Sequence, residues 1–192
     1  MDVDGWKLSS ALSEAEQGQL AALLNEYRDV FAFNNADITG YKGVEGPFEI
    51  PLVDEEPTFE KQRRLSPKNQ QLIDEYYTEL LELDFIELAD ETDPRHGRYA
   101  TNTTVAAKKD AETGEWTDAR ICQDSRRPNE KCVRDQRVMH RVDELLQRAS
   151  SCRYFTAIDL RKGFHQIPVK PEHRVHTSFL WKGKIYQWKV IQ

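Results

Sequence analysis

The sequence predicts an α+β fold, and three observations carry the prediction. Two stretches in the first half open with helix start signals and continue with apolar residues at helical spacing. The second half holds short extended pieces separated by polar turns. The strands and helices are mixed without strict strand–helix–strand alternation.

The first helix begins at Ser13, which forms a capping-box pair with Glu16. Leu20, Leu23, Leu24, Tyr27 and Phe31 then recur on one face. Residues 34–60 read as a linker, with Gly40, Gly43, Gly46, Pro47, Pro51 and Pro57 among many acids and one strand-like piece around Phe48-Glu49-Ile50. Ser66-Pro67 starts the second helix sharply, an N-cap followed by proline at the first helical position. Its apolar face is Leu72, Ile73, Tyr76, Leu80 and Leu81. It yields near Asp84, and Phe85-Ile86-Glu87-Leu88 leaves as an extended piece.

Residues 99–107 are extended and threonine-rich, 108–114 form a polar turn, and 116–123 are the returning strand. A third helix carries Val138, Val142, Leu145, Leu146 and Ala149. A short strand over 154–159 comes next, then extended pieces at 167–169 and 177–181. Lys182-Gly183 makes a tight hairpin into 185–188.

The 192 residues suffice for one ordinary domain, or for a small domain with an arm. A hydrophobic fraction of 39% against 31% charged fits a folded chain with a wet surface and room for one flexible segment. No stretch is apolar for long enough to span a membrane, so no membrane partner is expected. The acidic start, Met1-Asp2-Val3-Asp4-Gly5-Trp6, lacks the order of a signal peptide, and the chain is expected to stay inside the cell. Cys122, Cys132 and Cys152 are odd in number and far apart, which reads as reduced, mostly buried thiols.

The net charge of −6 hides an asymmetry. Residues 1–60 carry −10, residues 61–100 carry −3 and residues 101–192 carry +7. A basic C-terminal part can hold a polyanion, and an acidic arm can shield it until a partner is met. Charge counts alone fit a solvated basic surface equally well.

The most informative stretch runs from Arg153 to Val169, RYFTAIDLRKGFHQIPV. An apolar strand there ends in the carboxylate of Asp159, followed by a turn and the aromatic Phe164. A carboxylate at a strand end can face a cleft and bind a hard cation such as Mg²⁺. By itself an aspartate after a strand is more often a turn former or a helix cap. His173 and His176, with His165 nearby, lack a helical frame and a third ligand at defined spacing, so a metal site there is disfavoured. No Gly-rich phosphate loop and no G-x-S-x-G elbow is present. Trp181, Tyr186 and Trp188 read as packing residues of a hairpin, although such rings also stack on bases.

The stretch around Asp159 resembles the first catalytic motif of reverse transcriptases of gypsy-type LTR retrotransposons, Asp-Leu-x-x-Gly-aromatic-His-Gln-Ile after an aromatic-rich strand. Lys108-Lys109-Asp110, Trp116, Arg120, Cys122, Asp124, Arg126 and Asn129 are similar to that family's fingers segment. Val142-Asp143-Glu144-Leu145-Leu146 is similar to its next helix. Thr177-Ser178-Phe179 and Tyr186-Gln187-Trp188 are similar to the segment downstream of the motif. Arg63-Arg64-Leu65-Ser66-Pro67 looks like the lead-in to the fingers. Leu12-Ser13-Glu14 with Tyr27-Arg28-Asp29-Val30-Phe31 looks like the connector after the protease of such Pol polyproteins. The likeness is collinear over nearly the whole chain, which makes it more specific than any one motif.

The resemblance implies the partial fingers and palm of a right-hand polymerase, preceded by a helical and linker arm. Residues 1–60 would be the connector, 61–153 the fingers-like region and 154–192 the start of the palm. It implies an RNA-directed DNA polymerase whose partners are an RNA or DNA template, a primer, deoxynucleoside triphosphates and the rest of the polyprotein. Asp159 would bind both of two Mg²⁺ ions (or Mn²⁺), with the backbone carbonyl of Leu160 on one of them. Phe164 would sit under the sugar of the incoming nucleotide and exclude a 2′-hydroxyl. Lys108 and Arg120 would grip the triphosphate. Asp124 and Arg126 would position the template or brace the fingers. Without the resemblance, Lys108, Lys109 and Arg120 read as a solvated hairpin. The implied location is cytoplasmic, in a virus-like particle, with the nucleus as an alternative.

The sequence also departs from the family. The second catalytic motif, aromatic-x-Asp-Asp, is missing, as is a Met-Pro-Phe-Gly-like turn. Ser125 stands where an aromatic is usual, Arg126-Arg127-Pro128-Asn129 and Arg137-Val138-Met139-His140 replace more apolar runs, and His176 replaces a common lysine. One carboxylate cannot hold two cations in catalytic geometry, so the 192-residue chain is expected to lack polymerase activity. The alternatives are a non-catalytic nucleic-acid-binding remnant and a functionless product of a decayed element.

Overall fold

Ser66 and Pro67 start the helix that organises the core. In a computed structural model, which describes residues 2–3, 6–109, 113–114, 116–134, 136, 138–153 and 155–192, the chain folds as two units, 1–39 and 40–192.

In the first unit, strands β1 (Asp2–Val3) and β2 (Trp6–Lys7) pair antiparallel, and helix α1 (Glu14–Glu26) comes after them. The capping box forms as expected: Ser13 Oγ accepts from the Glu16 backbone at 3.4 Å, and Glu16 Oε2 accepts from the Ser13 backbone at 2.8 Å. The helix is shorter than the apolar spacing suggested. It stops at Glu26, and Gln17 and Ala21 are its buried residues, while Leu23 and Tyr27 are exposed. Phe31 instead meets the Trp6 ring edge-on at 5.0 Å.

In the second unit, helix α2 (Pro67–Glu82) lies against an antiparallel sheet of β3 (Ile86–Leu88), β7 (Lys184–Trp188) and β6 (Phe179–Trp181), in the order β3-β7-β6. Ile73, Tyr77 and Leu80 of α2 are buried. Tyr77 stacks on Phe179 at 4.5 Å, and Trp181 Nε1 donates to Asp74 Oδ1 at 2.7 Å. The helix ends in a Schellman motif: Phe85 N–H reaches Leu80 O at 2.9 Å and Asp84 N–H reaches Leu81 O at 3.1 Å. Asp84 takes the left-handed conformation this requires, with φ of 60°. Lys182 and Gly183, at φ 49° and 73°, make the turn between β6 and β7, since a primed turn needs positive φ at both positions.

Single bridges widen this sheet: Thr101 pairs with Phe179 and Ala100 with Phe59, both parallel. The stretch expected as a linker, 34–60, is therefore divided, and its residues 40–60 are part of the second unit. Phe48 bridges Val169 and Leu52 bridges Cys132. Phe48, Ile50 and Leu52 alternate at the spacing of two that suits an extended segment laid on an apolar surface.

From the sheet a long hairpin extends: β4 (Thr103–Lys109) pairs antiparallel with β5 (Trp116–Gln123), then helices α3 (Arg126–Lys131) and α4 (Val142–Ala149) complete this part of the chain. Helix α3 was not anticipated, and α4 is shorter than the predicted third helix, with Val138 outside it. Gln123 ties the base of the hairpin to the sheet, accepting from Trp188 Nε1 at 2.6 Å and donating to Thr101 Oγ1.

Two expectations are corrected. The strand predicted over 154–159 does not form at 155–159: those residues carry no regular structure, since no neighbouring strand pairs with them among the described residues; Tyr154 itself lies outside them. The cysteines are free but not mostly buried: Cys122 and Cys152 are exposed and Cys132 is half-buried. Cys122 lies on a two-stranded hairpin and Cys152 comes after an exposed helix, so neither has a covering layer.

Candidate functional site

The residues singled out by sequence fall into two groups. Asp159 and Leu160 lie at the end of the unpaired stretch, both exposed. No hydrogen bond or ion pair engages the Asp159 carboxylate among the described residues. The turn behind it is tight: a Cβ at Gly163 would meet Leu160 Cβ at 3.3 Å, and Lys162 before it has φ of 45°. A 3₁₀ turn, Gly163–Gln166, carries Phe164, which is 69% exposed.

His165 fixes this turn, a role the sequence did not mark. Its ring lies between Phe85 and Trp188, at 5.3 Å from each centroid, and its Nδ1 is buried without a partner. Burial, with the nearby Lys162 charge, pulls its pKa down to about 4. Lys162 Nζ adds an ion pair to Glu79 on α2 at 3.6 Å.

The second group sits on the hairpin and α3. In the β4–β5 register Ala106 faces Arg120 and Lys108 faces Asp118, so positions 108 and 120 are diagonal neighbours on one face. Arg120 is exposed; the side chain of Lys108, like Asp110, lies outside the described residues. Asp124 and Arg126 form a bidentate pair, Nε to Oδ1 and Nη2 to Oδ2, each at 2.7 Å. Arg63 Nη2 approaches the same carboxylate at 3.5 Å. The Arg126 guanidinium, outweighing desolvation, holds Asp124 down to about 2. No hydrogen bond or ion pair joins this group to Asp159, Leu160 or Phe164 among the described residues.

Between α3, residues 48–58 and the sheet lies a cleft of about 580 Å³, lined largely by apolar and aromatic side chains such as Tyr76, Tyr99, Ile121 and Trp188. None of the six predicted site residues whose side chains are described lines it. Among the described residues no three His, Cys, Asp or Glu side chains converge where a cation could be held. His173 Nδ1 is taken by the Ile50 backbone N–H at 2.8 Å. Asp159 alone therefore does not make the two-cation centre that the family resemblance implied.

The element order, the α2-covered sheet and the long hairpin make an α+β fold shared with solved reverse transcriptases. The chain superposes on the prototype foamy virus protease–reverse transcriptase with a TM-score of 0.72 and 24% identity, over 95% of this chain and 23% of that one. The foamy viral protease–reverse transcriptase in complex with RNA/DNA hybrid gives 0.72 at 18% identity, over 94% and 22%.

By sequence the chain is related to retrovirus-related Pol polyproteins of Drosophila melanogaster transposons. It is 28% identical over 185 residues to that of transposon 412, which is 95% of this chain and 14% of the relative. To that of transposon gypsy it is 30% identical over 95 residues, 50% of this chain and 9% of the relative. The chain thus spans less than a sixth of the length of these curated relatives. No family model matches it.

Proposed function

We propose that the chain supplies the fingers and the start of the palm of an RNA-directed DNA polymerase, encoded by a gypsy-type LTR retrotransposon. The observation that carries this reading is the collinear likeness over 95% of the chain, in sequence to a transposon Pol polyprotein and in fold to a reverse transcriptase. In the complete enzyme Asp159 and the Leu160 carbonyl are its share of a Mg²⁺ or Mn²⁺ site. Phe164 selects the deoxyribose, Lys108 and Arg120 contact the triphosphate, and Asp124 with Arg126 positions the template or braces the fingers. Residues 1–60 are the connector after the protease, 61–153 the fingers and 154–192 the palm segment. The assembly is cytoplasmic, within a virus-like particle.

On its own the chain binds template–primer and does not polymerise. The test is binding of the purified chain to an RNA/DNA hybrid, monitored by fluorescence anisotropy across salt concentrations. Affinity should fall steeply with salt, because contacts to backbone phosphates carry the binding. Absence of binding at low salt, or binding indifferent to salt, refutes the nucleic-acid role. Deoxynucleotide incorporation by the 192-residue chain, abolished by Asp159→Ala, would refute the inactive reading.

A further inference from the structure

Residues 49–60 run past four cations of the second unit and pair with each of them through a carboxylate. Lys131 is the clearest case. Its ammonium donates to Asp54 Oδ1 at 2.7 Å, to the backbone oxygen of Glu56 at 2.9 Å and to Glu56 Oε2 at 3.2 Å. An ammonium has three protons, and all three are engaged. Lys170 is shared by Glu49 at 2.9 Å and Glu172 at 3.2 Å. Glu60 stands between Arg63 and Arg127, 3.5 Å from each.

The backbone sets this arrangement. Leu52 bridges Cys132, Val53 N–H donates to Lys131 O at 2.8 Å and Val133 N–H donates to Pro51 O at 2.9 Å. These bonds flank the Leu52–Cys132 bridge and fix Lys131 beside the acids. Two of these carboxylates stay at the surface, Asp54 at 52% and Glu56 at 79% exposed, while Glu60 is 13% and the Lys131 side chain 19% exposed. Exposed ion pairs are individually weak, so a phosphate oxygen competes for the same ammonium on nearly equal terms. The charge asymmetry of the sequence, −10 over residues 1–60 against +7 over 101–192, thus has a partial structural counterpart in residues 49–60.

We infer that residues 49–60 act as an internal polyanion mimic, whose carboxylates mask a phosphate-binding surface made by Lys131, Lys170, Arg63 and Arg127. The inference rests on the nucleic-acid-binding role proposed above. It adds a surface separate from Lys108, Arg120 and the Asp159 turn, and it sets the free chain's affinity below what its basic half would give.

The test uses the full chain and an RNA/DNA hybrid duplex. Asp54→Asn/Glu56→Gln removes both carboxylates from Lys131. Glu82→Gln/Glu91→Gln makes the same change in net charge at exposed positions that contact none of these cations among the described residues. The first variant should bind about tenfold tighter than wild type at 0.1 M salt with a steeper salt dependence, and the control less than about threefold tighter. Adding Lys131→Gln to the first variant should erase the gain. Equal gains in both double variants, or a gain that survives Lys131→Gln, overturns the inference while leaving nucleic-acid binding by the wild type intact. No binding by any variant at low salt overturns both. If Asp54→Asn/Glu56→Gln fails to fold, Lys131→Gln in the otherwise wild-type chain decides. Affinity within about twofold of wild type supports a masked lysine, and a larger loss overturns the inference.

Discussion

In the sheet β3-β7-β6 with its covering helix, the large side chains have partners; between residues 138 and 164 most do not. Tyr77, Leu80, Ile86 and Phe179 are fully buried within one layer of contacts. Val138 is 97% and Ile158 79% exposed, and Val142, Leu146 and Phe155 are also open to water. The two regions are alike in apolar content, so apolar content does not decide which one is buried. A facing surface decides it, because apolar area left in water gains nothing from being apolar. The helix α2 supplies that surface to the sheet, and no described element supplies it to α4 or to 155–160.

The contrast breaks most readily by truncating one large side chain on each side of it. Phe179→Ala should cost about 3–5 kcal/mol in denaturant unfolding, since the ring is fully buried between Tyr77 and Tyr186. Phe155→Ala should stay within about 0.5 kcal/mol of wild type. Equal costs would mean that 155–160 is packed in solution and that the contrast is wrong. The uncovered region should instead govern self-association. Leu145→Ser/Leu146→Ser should leave the melting temperature nearly unchanged and lower concentration-dependent light scattering, as expected when an exposed apolar face is made polar.

Acid sharpens the same contrast through His165. Its pKa is about 4 in the folded chain against an unfolded value near 6.5, so the folded state prefers the neutral ring. The unfolded chain therefore binds the proton first as pH falls. Stability is full above about 6.5 and is lost progressively down to about 4. The whole shift corresponds to about 3 kcal/mol, and the ring's partial exposure reduces this to about 1–2 kcal/mol. His165→Phe should flatten the melting temperature between those limits. Buried His176, also shifted down by desolvation, sets the residual slope. Asp124, lowered to about 2 by Arg126, adds a separate loss as pH falls from about 3.8 towards 2.

Elements whose signal is local were legible in the sequence: the Ser13 and Ser66 caps, the end of α2 near Asp84 and the Lys182-Gly183 turn. Each depends on a few adjacent residues and on no distant partner. The failures share the opposite cause. Residues 155–159 have strand composition, yet a strand exists only with a neighbour to bond, which composition does not report. Residues 40–60 looked like a linker because glycine and proline mark turns, while their attachment depends on Val169, Cys132 and Ala100, far along the chain. The candidate residues of the site were likewise named from a motif, and Asp124 with Arg126 is the pair the fold brings together. The bracing role of His165 was invisible because it requires Phe85 and Trp188, far apart along the chain, to come together.

The smallest expected effect concerns Asp159. Its carboxylate is exposed and engages no described partner, so Asp159→Asn should change the unfolding free energy by less than about 0.5 kcal/mol. Asp124→Asn gives the contrast: it keeps the side chain's shape and removes the charge that two arginines share. A loss at Asp124 with none at Asp159 would mark the first carboxylate as structural and leave the second free for a partner outside this chain. A clear loss at Asp159 would instead mean that 155–160 folds against something in solution, and the division drawn between the covered sheet and the uncovered motif would have to move past residue 164.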